Sequence, residues 1–195
     1  MAPSDGTEKR FGEARMDSKG FEGNCNMIIL GIDPGLAIVG WGVLQYENSR
    51  FRVLGYGSIE TPAGMETPDR LQMIYGDLKE VIGKYHPDEM AIEELFFDKN
   101  ITTGIRVAEA RGVLLLAAKE CGLSLYEYTP MQVKQAVCGY GKAEKKQVIM
   151  MVTSFLKLKA PPKPDDTADA LAIAVCHAHT GGSRISAYYN RNSKF

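Results

Sequence analysis

The sequence predicts an α/β protein with a mixed five-stranded sheet and helices on both faces of that sheet. Three strand-like apolar runs follow one another from residue 27, separated only by Gly/Pro and Asn/Ser turn signals. After these runs, helical and strand patterns alternate along the chain. A length of 195 residues suits one well-buried domain. Strands in hairpins followed by alternating helices and strands give a sheet with both antiparallel and parallel neighbours.

The first half of the chain contains four of the strands. Residues 28–33, 38–46 and 51–60 are expected to form an antiparallel meander. A helix from about residue 65 to 85 follows, because its apolar residues recur at helical spacing until Pro87 ends the pattern. Residues 89–95 then form a short apolar strand.

The second half alternates between helices and one further strand. A helix over 105–121 is closed by Gly122, and residues 124–128 form the next strand. Thr129, Pro130 and Gln132 carry the signals of a capped helix start, and Gly139 ends this short helix. Two more helices are predicted over 143–158 and from about 166 to 178, joined by the stiff proline-rich segment 161–164.

The chain is expected to divide into three parts. Residues 1–26 lack any periodicity and read as a disordered extension, residues 27–180 as the globular domain, and residues 181–195 as a flexible basic tail. The four cysteines are widely spaced and contain no C-x-x-C pair, which fits a reducing cytoplasm. Apolar stretches are too short for a membrane span, and a signal-peptide core is missing, so we expect a soluble cytoplasmic protein.

Charge is segregated along the chain although the net charge is only -1. Residues 134–163 contain seven lysines and one acid, whereas residues 77–98 contain seven acids and two lysines. Two solvated helix faces would explain either run by itself. Together, the runs suit a protein that holds a polyanion and a metal ion at separate places.

Acidic residues close two of the predicted strands. Asp33 follows the apolar run 28–32, where a carboxylate is costly unless a cation lies against it, although it also suits a turn before Pro-Gly. Glu93 and Glu94 fall at the end of strand 89–95. Neighbouring residues on a strand point to opposite faces, so only one of these two can share a site with Asp33, and periodicity does not choose between them.

A third acidic group opens the last helix. Asp166 and Asp169 lie three residues apart, and Asp165 and Asp169 four apart, so either pair shares one helix face. Asp165 or Asp166 also suits a simple helix cap. Acids at strand ends and helix starts of an α/β sheet tend to meet in one crevice. Several carboxylates there would repel each other unless they bound a hard cation such as Mg²⁺ or Mn²⁺, which acts on phosphates.

Five motifs in order resemble the RuvC family of Holliday junction resolvases. They are GIDPG, AIEELFFDKN, ARG, QVKQAVCGYGKAEKKQV and DDTADALAIA, within residues 27–179. The resemblance implies a ribonuclease H-like fold, a homodimer and Mg²⁺-dependent incision of two opposed strands of a four-way DNA junction in recombination and repair. It also implies two ions per subunit, with Mn²⁺ as a substitute, and RuvA- and RuvB-type partners for junction binding and branch migration.

The resemblance assigns residues that spacing leaves open. It places the catalytic, metal-binding carboxylates at Asp33, Glu93, Asp166 and Asp169. It places DNA-contacting lysines at Lys134 and Lys145, and a base-stacking ring at Phe96. Departures are Glu94, where some members have glutamine, Asp98 beside the DNA-facing loop, and residues 1–26, which have no family counterpart.

Local physical signals agree with parts of this assignment. Lys145 and Lys146 fall in the first turn of a helix, where the dipole disfavours cations unless an anion is bound. Phe96 and Phe97 lead into a polar loop, although core packing would be the ordinary expectation for both. Cys176 lies about 10 Å along the helix from Asp169, too far to ligate the same ion. Competing functions are an actin-like or sugar-kinase ATPase, a non-catalytic junction-binding module and a RuvX-type nuclease.

Overall fold

The computed structural model describes residues 26–95 and 101–181, and for residues 101–103 and 181 it describes the backbone only. The predicted extension before residue 26, Phe96, Asp98 and the tail after residue 181 therefore lie outside the described residues. Within the described part, the chain forms one five-stranded sheet in the order β3-β2-β1-β4-β5. None of the helices in this part has the length and apolar composition needed to cross a bilayer.

The strands follow the predicted hairpin and crossover pattern. β1 pairs antiparallel with β2, and β2 with β3, while β1–β4 and β4–β5 are parallel pairs. The mixed sheet is therefore confirmed. The strand bounds are β1 Met27–Asp33, β2 Ile38–Glu47, β3 Arg50–Glu60, β4 Glu89–Glu93 and β5 Ser124–Tyr128.

Five helices in the described residues cover both faces of the sheet, as predicted. One apolar core packs α1 and α2 against one face, and a second core packs α3, α4 and α5 against the other. The helix bounds are α1 Thr67–Tyr85, α2 Ile101–Glu120, α3 Pro130–Cys138, α4 Lys145–Phe155 and α5 Asp165–Gly181.

Several predicted element bounds were wrong by a few residues. β4 ends at Glu93 rather than at residue 95, although the Glu94 N–H still donates to the Tyr128 carbonyl at 2.8 Å. α2 begins four residues earlier than predicted. α4 begins at Lys145 rather than 143, because Gln147 accepts the Glu144 backbone N–H at 2.8 Å and so caps the helix there. α4 ends at Phe155, and Lys157 then takes a left-handed conformation with φ of 53°.

Helix α5 lies directly on the backbone of β1 and β2. A Cβ atom at Gly40 would lie 2.0 Å from the Asp166 carbonyl oxygen, and one at Gly31 would lie 2.1 Å from that of Ala170. The alternating alanines of α5, from Ala168 to Ala174, are fully buried and permit the same close approach from the helix side. Small residues on both surfaces therefore bring the start of α5 against the carboxyl end of β1.

A buried polar network joins the far end of α5 to the sheet. The fully buried His177 ring contacts Glu89 Oε2 through Nε2 at 2.6 Å and Tyr128 Oη through Nδ1 at 2.8 Å. Thr180 donates to Tyr128 Oη at 2.9 Å, and Tyr126 donates to Glu89 at 3.1 Å. The hydrogen bond from His177 lowers the pKa of Glu89, although partial burial acts to raise it. Within the part of the chain that the structure describes, His177 therefore has a structural role, because it joins α5 to β4 and β5.

Gly40→Ala should destabilise the protein, because the new methyl group would overlap the Asp166 carbonyl oxygen. This oxygen belongs to the backbone of α5, so it cannot rotate away as the end of a side chain could. We expect a loss of about 1–3 kcal/mol or more in the free energy of unfolding, measured by urea denaturation. Gly76→Ala is the matched control: its Cβ meets nothing within 4 Å, and alanine should stabilise α1 by about 0.5–1 kcal/mol. Equal effects of the two changes would contradict the close-packing explanation.

Candidate active site

The four carboxylates assigned by resemblance come from three elements that meet at one end of the sheet. Asp33 ends β1, Glu93 ends the neighbouring parallel strand β4, and Asp166 and Asp169 lie in the first turns of α5. We call Asp33, Glu93, Asp166 and Asp169 the acid cluster. β-Strands that run parallel present their carboxyl ends at the same edge, and the glycine contacts described above bring α5 to that edge.

Burial distinguishes the members of the cluster from their neighbours. Glu93 is half-buried, whereas Glu94 is exposed; Asp166 is half-buried, whereas Asp165 is exposed. The structure therefore brings Glu93 and Asp166 toward Asp33, and it leaves the two alternatives facing solvent.

Electrostatic coupling shows how near the acids are to each other. Burial, together with the charges of Glu93, Asp169 and Asp166, raises the pKa of Asp33 from 3.8 to about 8, against the effect of Lys145. Burial and the charge of Asp169 likewise raise the pKa of Glu93, which Lys134 and Lys145 oppose. Burial alone would raise the pKa of a carboxyl group, so it is the added effect of the charges of Glu93, Asp169 and Asp166 that indicates a shared, like-charged environment.

Lys145 is the cation that lies against the cluster. Its Nζ is 2.8 Å from Asp169 Oδ2, and its side chain is still about half exposed. Burial acts to lower the pKa of Lys145, but the hydrogen bond to Asp169 and the charges of Asp169, Asp166 and Asp165 outweigh it and raise that pKa. Burial raises the pKa of Asp169 even with Lys145 beside it. One ammonium group therefore neutralises only part of the repulsion.

Lys134 reaches the cluster from α3. This helix follows β5 directly, and Thr129 caps it by accepting the Gln132 N–H at 3.2 Å while Gln132 accepts the Thr129 N–H at 2.8 Å. The capping box predicted at Thr129 is thus confirmed. Because α3 starts at the carboxyl end of β5, Lys134 is close enough for its charge to act on Glu93.

Arg111 supports the end of β4 from α2. Its Nε donates to the Glu93 carbonyl oxygen at 3.3 Å, and its Nη2 forms an ion pair of 2.8 Å with Glu127 of β5. The arginine therefore fixes the backbone that carries Glu93. The ARG motif drew attention to Arg111, but its contact with a strand carbonyl leaves no signal in a single sequence.

The glycines beneath α5 are the part of the site that sequence reasoning missed. Gly31 and Gly42 are paired across β1 and β2, and Gly40 is paired with Asp33. A glycine inside a strand often marks the close approach of another backbone, so three of them in paired positions would have been a usable signal.

The donor set fits a hard divalent cation by chemical type, since every member offers carboxylate oxygens and the buried Asp33 gains from a nearby positive charge. The side chains are not gathered around one point, however. Among the described residues, no three His, Cys, Asp or Glu side chains meet in the geometry of a metal site. The Asp169–Lys145 ion pair and the mutual repulsion of the acids account for this spread. Cys176 is buried, which raises its pKa to about 12, and belongs to the core.

Comparison with known proteins identifies the family. The family described as "Crossover junction endodeoxyribonuclease RuvC" matches residues 29–177. The RuvC of Clostridioides difficile is 57% identical over 154 residues, which cover 79% of this chain and 91% of that protein. The RuvC of Alkaliphilus metalliredigens is 59% identical over 155 residues, covering 80% and 94% of the two chains.

Solved structures agree with this identification. A structure described as "T. thermophilus RuvC in complex with Holliday junction substrate" superposes with a TM-score of 0.74 at 39% identity, over 78% of this chain and 93% of that one. The yeast mitochondrial Holliday junction resolvase Ydc2, at 13% identity and a TM-score of 0.57, shares the fold. The ribonuclease H-like architecture expected from the resemblance is therefore confirmed. With its five motifs in order, its acids at one sheet edge and more than half of the aligned residues identical to those of the C. difficile and A. metalliredigens proteins, the chain belongs to the RuvC family of crossover junction endodeoxyribonucleases.

Proposed function

We propose that this protein is a structure-selective endonuclease that resolves four-way DNA junctions by hydrolysing phosphodiesters in two opposed strands during recombination and repair. The observation that carries the proposal is the acid cluster: four carboxylates from three elements share a buried edge, and together with burial they raise the pKa of Asp33 to about 8. A cluster that costs stability in this way is typical of a catalytic site. The similarity to a RuvC in complex with a Holliday junction substrate supports the choice of DNA substrate.

The acid cluster would hold Mg²⁺, for which Mn²⁺ can substitute, and we propose two ions per subunit. A bound divalent cation supplies Lewis-acid chemistry toward a phosphodiester. Adjacent strands fix the backbone positions of Asp33 and Glu93, and Asp166 and Asp169 approach from the helix. Burial of the cluster removes competing water and strengthens the attraction of these carboxylates for a cation.

Lys145 and Lys134 are proposed to bind DNA phosphates beside the cluster. Lys145 Nζ pairs with Asp169 in this structure, yet its side chain is half exposed and can reach a phosphate when Asp169 turns to a cation. Lys134 lies near Glu93 on the same face of the sheet. Phe96 follows the cluster-bearing strand by three residues and is proposed to stack on a base at the junction; it lies outside the described residues.

A two-fold homodimer is the assembly that this function requires. One chain carries one acid cluster, whereas two opposed strands of a junction must be cut, and a two-fold axis matches the symmetry of that substrate. We further propose that the protein acts in the cytoplasm with RuvA- and RuvB-type proteins, which would bind the junction and drive branch migration. Sedimentation of the protein with bound junction measures the stoichiometry.

Incubation with a synthetic four-way junction and Mg²⁺ tests the activity. Wild type should cut two opposed strands, while Asp33→Asn, Glu93→Gln and Asp169→Asn should bind the junction but cut it more slowly by roughly a hundredfold or more, since each removes a cation ligand. Glu94→Gln is the matched control, because Glu94 is exposed beside Glu93 and should be dispensable. An uncut junction with wild type, or normal cutting by Glu93→Gln, would contradict the proposal.

Asp33→Asn should stabilise the metal-free protein. The pKa of Asp33 is about 8 in the folded protein, whereas its ordinary value is 3.8. Ionisation of Asp33 therefore destabilises the folded protein as the pH rises above 3.8, and this destabilisation reaches its full size above about pH 8. Asparagine does not ionise, so in EDTA the difference in unfolding free energy should grow by something on the order of 5 kcal/mol between about pH 4 and pH 8.

Thermal melts of Asp33→Asn, with Glu80→Gln as an exposed control, measure this effect. Mg²⁺ should raise the melting temperature of wild type according to ln(1 + [Mg²⁺]/Kd) and raise that of Asp33→Asn less. A lower melting temperature for Asp33→Asn in EDTA, together with the full Mg²⁺ effect, would show that Asp33 does not share a site with the other three acids.

Lys145→Ala should change the salt dependence of junction binding. If Lys145 binds one phosphate, the slope of log K against log[salt] should become less steep by about 0.9. Lys119→Ala is a suitable control, because Lys119 is exposed near the end of α2 and is not a member of the acid cluster. An unchanged slope for Lys145→Ala would show that Lys145 does not bind a phosphate and is only the ion-pair partner of Asp169.

A further inference from the structure

A cavity adjoins the acid cluster on the face of the sheet opposite Lys134 and Lys145. It is bounded by the turn between β1 and β2, by Arg70 of α1, by Arg106 and Val107 of α2, and by Asp166 of α5. The turn begins with Pro34, directly after Asp33. Its volume of about 430 Å³ lies in the range of about 300–1,000 Å³ that is usual for ligand sites. The cavity and the cluster therefore share Asp166 and one stretch of backbone.

The turn forms a fixed wall of this cavity. Arg70 donates through Nε to Thr61 Oγ1 at 2.7 Å and through Nη2 to the Leu36 carbonyl at 3.3 Å, and Thr61 Oγ1 donates to the same carbonyl at 2.7 Å. A Cβ atom at Gly35 would lie 2.2 Å from the Ile38 carbonyl, so the tight turn needs glycine. Hydrogen bonds from two neighbouring elements thus hold the wall in place without any bound ligand.

Arg106 supplies an exposed positive charge to the cavity. Its side chain is exposed, and in the described residues neither Arg106 nor Arg70 forms an ion pair with a carboxylate. Arg111, five residues further along α2, differs in bonding both Glu127 and the Glu93 carbonyl. The planar guanidinium group can donate two parallel hydrogen bonds to a phosphate, which a lysine cannot do.

The location of the cavity indicates which anion it would take. The one acidic side chain among its bounding residues is Asp166, a member of the acid cluster, and Pro34 of its wall directly follows Asp33 of that cluster. An isolated small anion would have no need to sit next to four carboxylates, whereas a nucleic-acid strand that passes the cluster carries a phosphate at every nucleotide.

We propose that this cavity binds a phosphate of the DNA strand that is cut, a few nucleotides from the cleaved bond, and that Arg106 is its principal ligand. The inference rests on the proposed endonuclease function and extends it. Lys134 and Lys145 approach the cluster from the α3–α5 face, and Arg106 approaches from the α1–α2 face. The DNA strand is then held on both sides of the acid cluster, and these two contacts fix the direction in which its backbone crosses the cluster.

The salt dependence of junction binding, measured without divalent metal, tests the role of Arg106. Arg106→Gln should make the slope of log K against log[salt] less steep by about 0.9, and Arg106→Lys should restore the slope. Arg52→Gln is the matched control, because Arg52 is an exposed arginine on β3 with no ion pair to any residue that the structure describes, and it should keep the wild-type slope. Unchanged melting temperatures verify that each variant folds.

Single neutral methylphosphonate groups along the cut strand locate the contact. One position near the cleaved bond should weaken binding to wild type and Arg52→Gln but have no effect on Arg106→Gln. An Arg106→Gln protein with the wild-type slope and the wild-type methylphosphonate profile would overturn this site while wild-type cleavage leaves the endonuclease proposal intact. A wild-type protein that neither binds nor cuts the junction would overturn both proposals.

Discussion

Backbone contact between helix α5 and strands β1 and β2 determines where the acids can be. The helix rests on Gly31 and Gly40 with no side chain between them, and Gly40 is the partner of Asp33 across the sheet. This contact places the carbonyl of Asp166 against β2 at Gly40, the residue paired with Asp33. Any larger residue at Gly40 would move α5 outward, and the two helical acids would leave the edge where Asp33 and Glu93 end their strands.

The close approach creates an electrostatic conflict that the rest of the site partly relieves. Burial and three neighbouring carboxylates favour the neutral form of Asp33, while Lys145 pairs with Asp169 on the exposed side. The lysine is only half buried, so water screens part of its effect. A site of this kind gains more from a multivalent cation than from a second ammonium group, which explains why acids and lysines occur side by side without neutralising one another.

Much of this arrangement was predictable from the sequence, because it follows from local patterns. Hairpin signals gave the order and direction of β1 to β3, and helical spacing gave the helices. Periodicity could not choose between Glu93 and Glu94, since both faces of β4 are covered, and only the resemblance and then the exposure of Glu94 separate them. The start of α4 was misjudged because a glutamine three residues later fixes it.

Long-range contacts account for what the sequence did not reveal. Arg111 binds a carbonyl of β4, Arg70 binds the turn after β1, and His177 joins Glu89 to Tyr128. Each contact joins residues that are far apart in the chain, and nothing in the local pattern of either partner announces the other. The strand glycines signal that another backbone comes close, but they do not identify it, because the neighbour of Gly40, Asp166, lies on a helix more than a hundred residues later.

The His177 network also limits how α5 can respond to its own charges. Glu93 lies four residues after Glu89 on β4, and His177 lies eight residues after Asp169 on α5, so both segments span about 12–13 Å. Strand and helix run in opposite directions, and His177 bonds α5 to Glu89 at the end away from the acids, so α5 cannot slide along its axis without breaking the bonds of His177. Repulsion among the acids must then be relieved by side-chain rotation, and the backbone of the site is preorganised: loading a cation costs rotamer entropy but little movement of the fold.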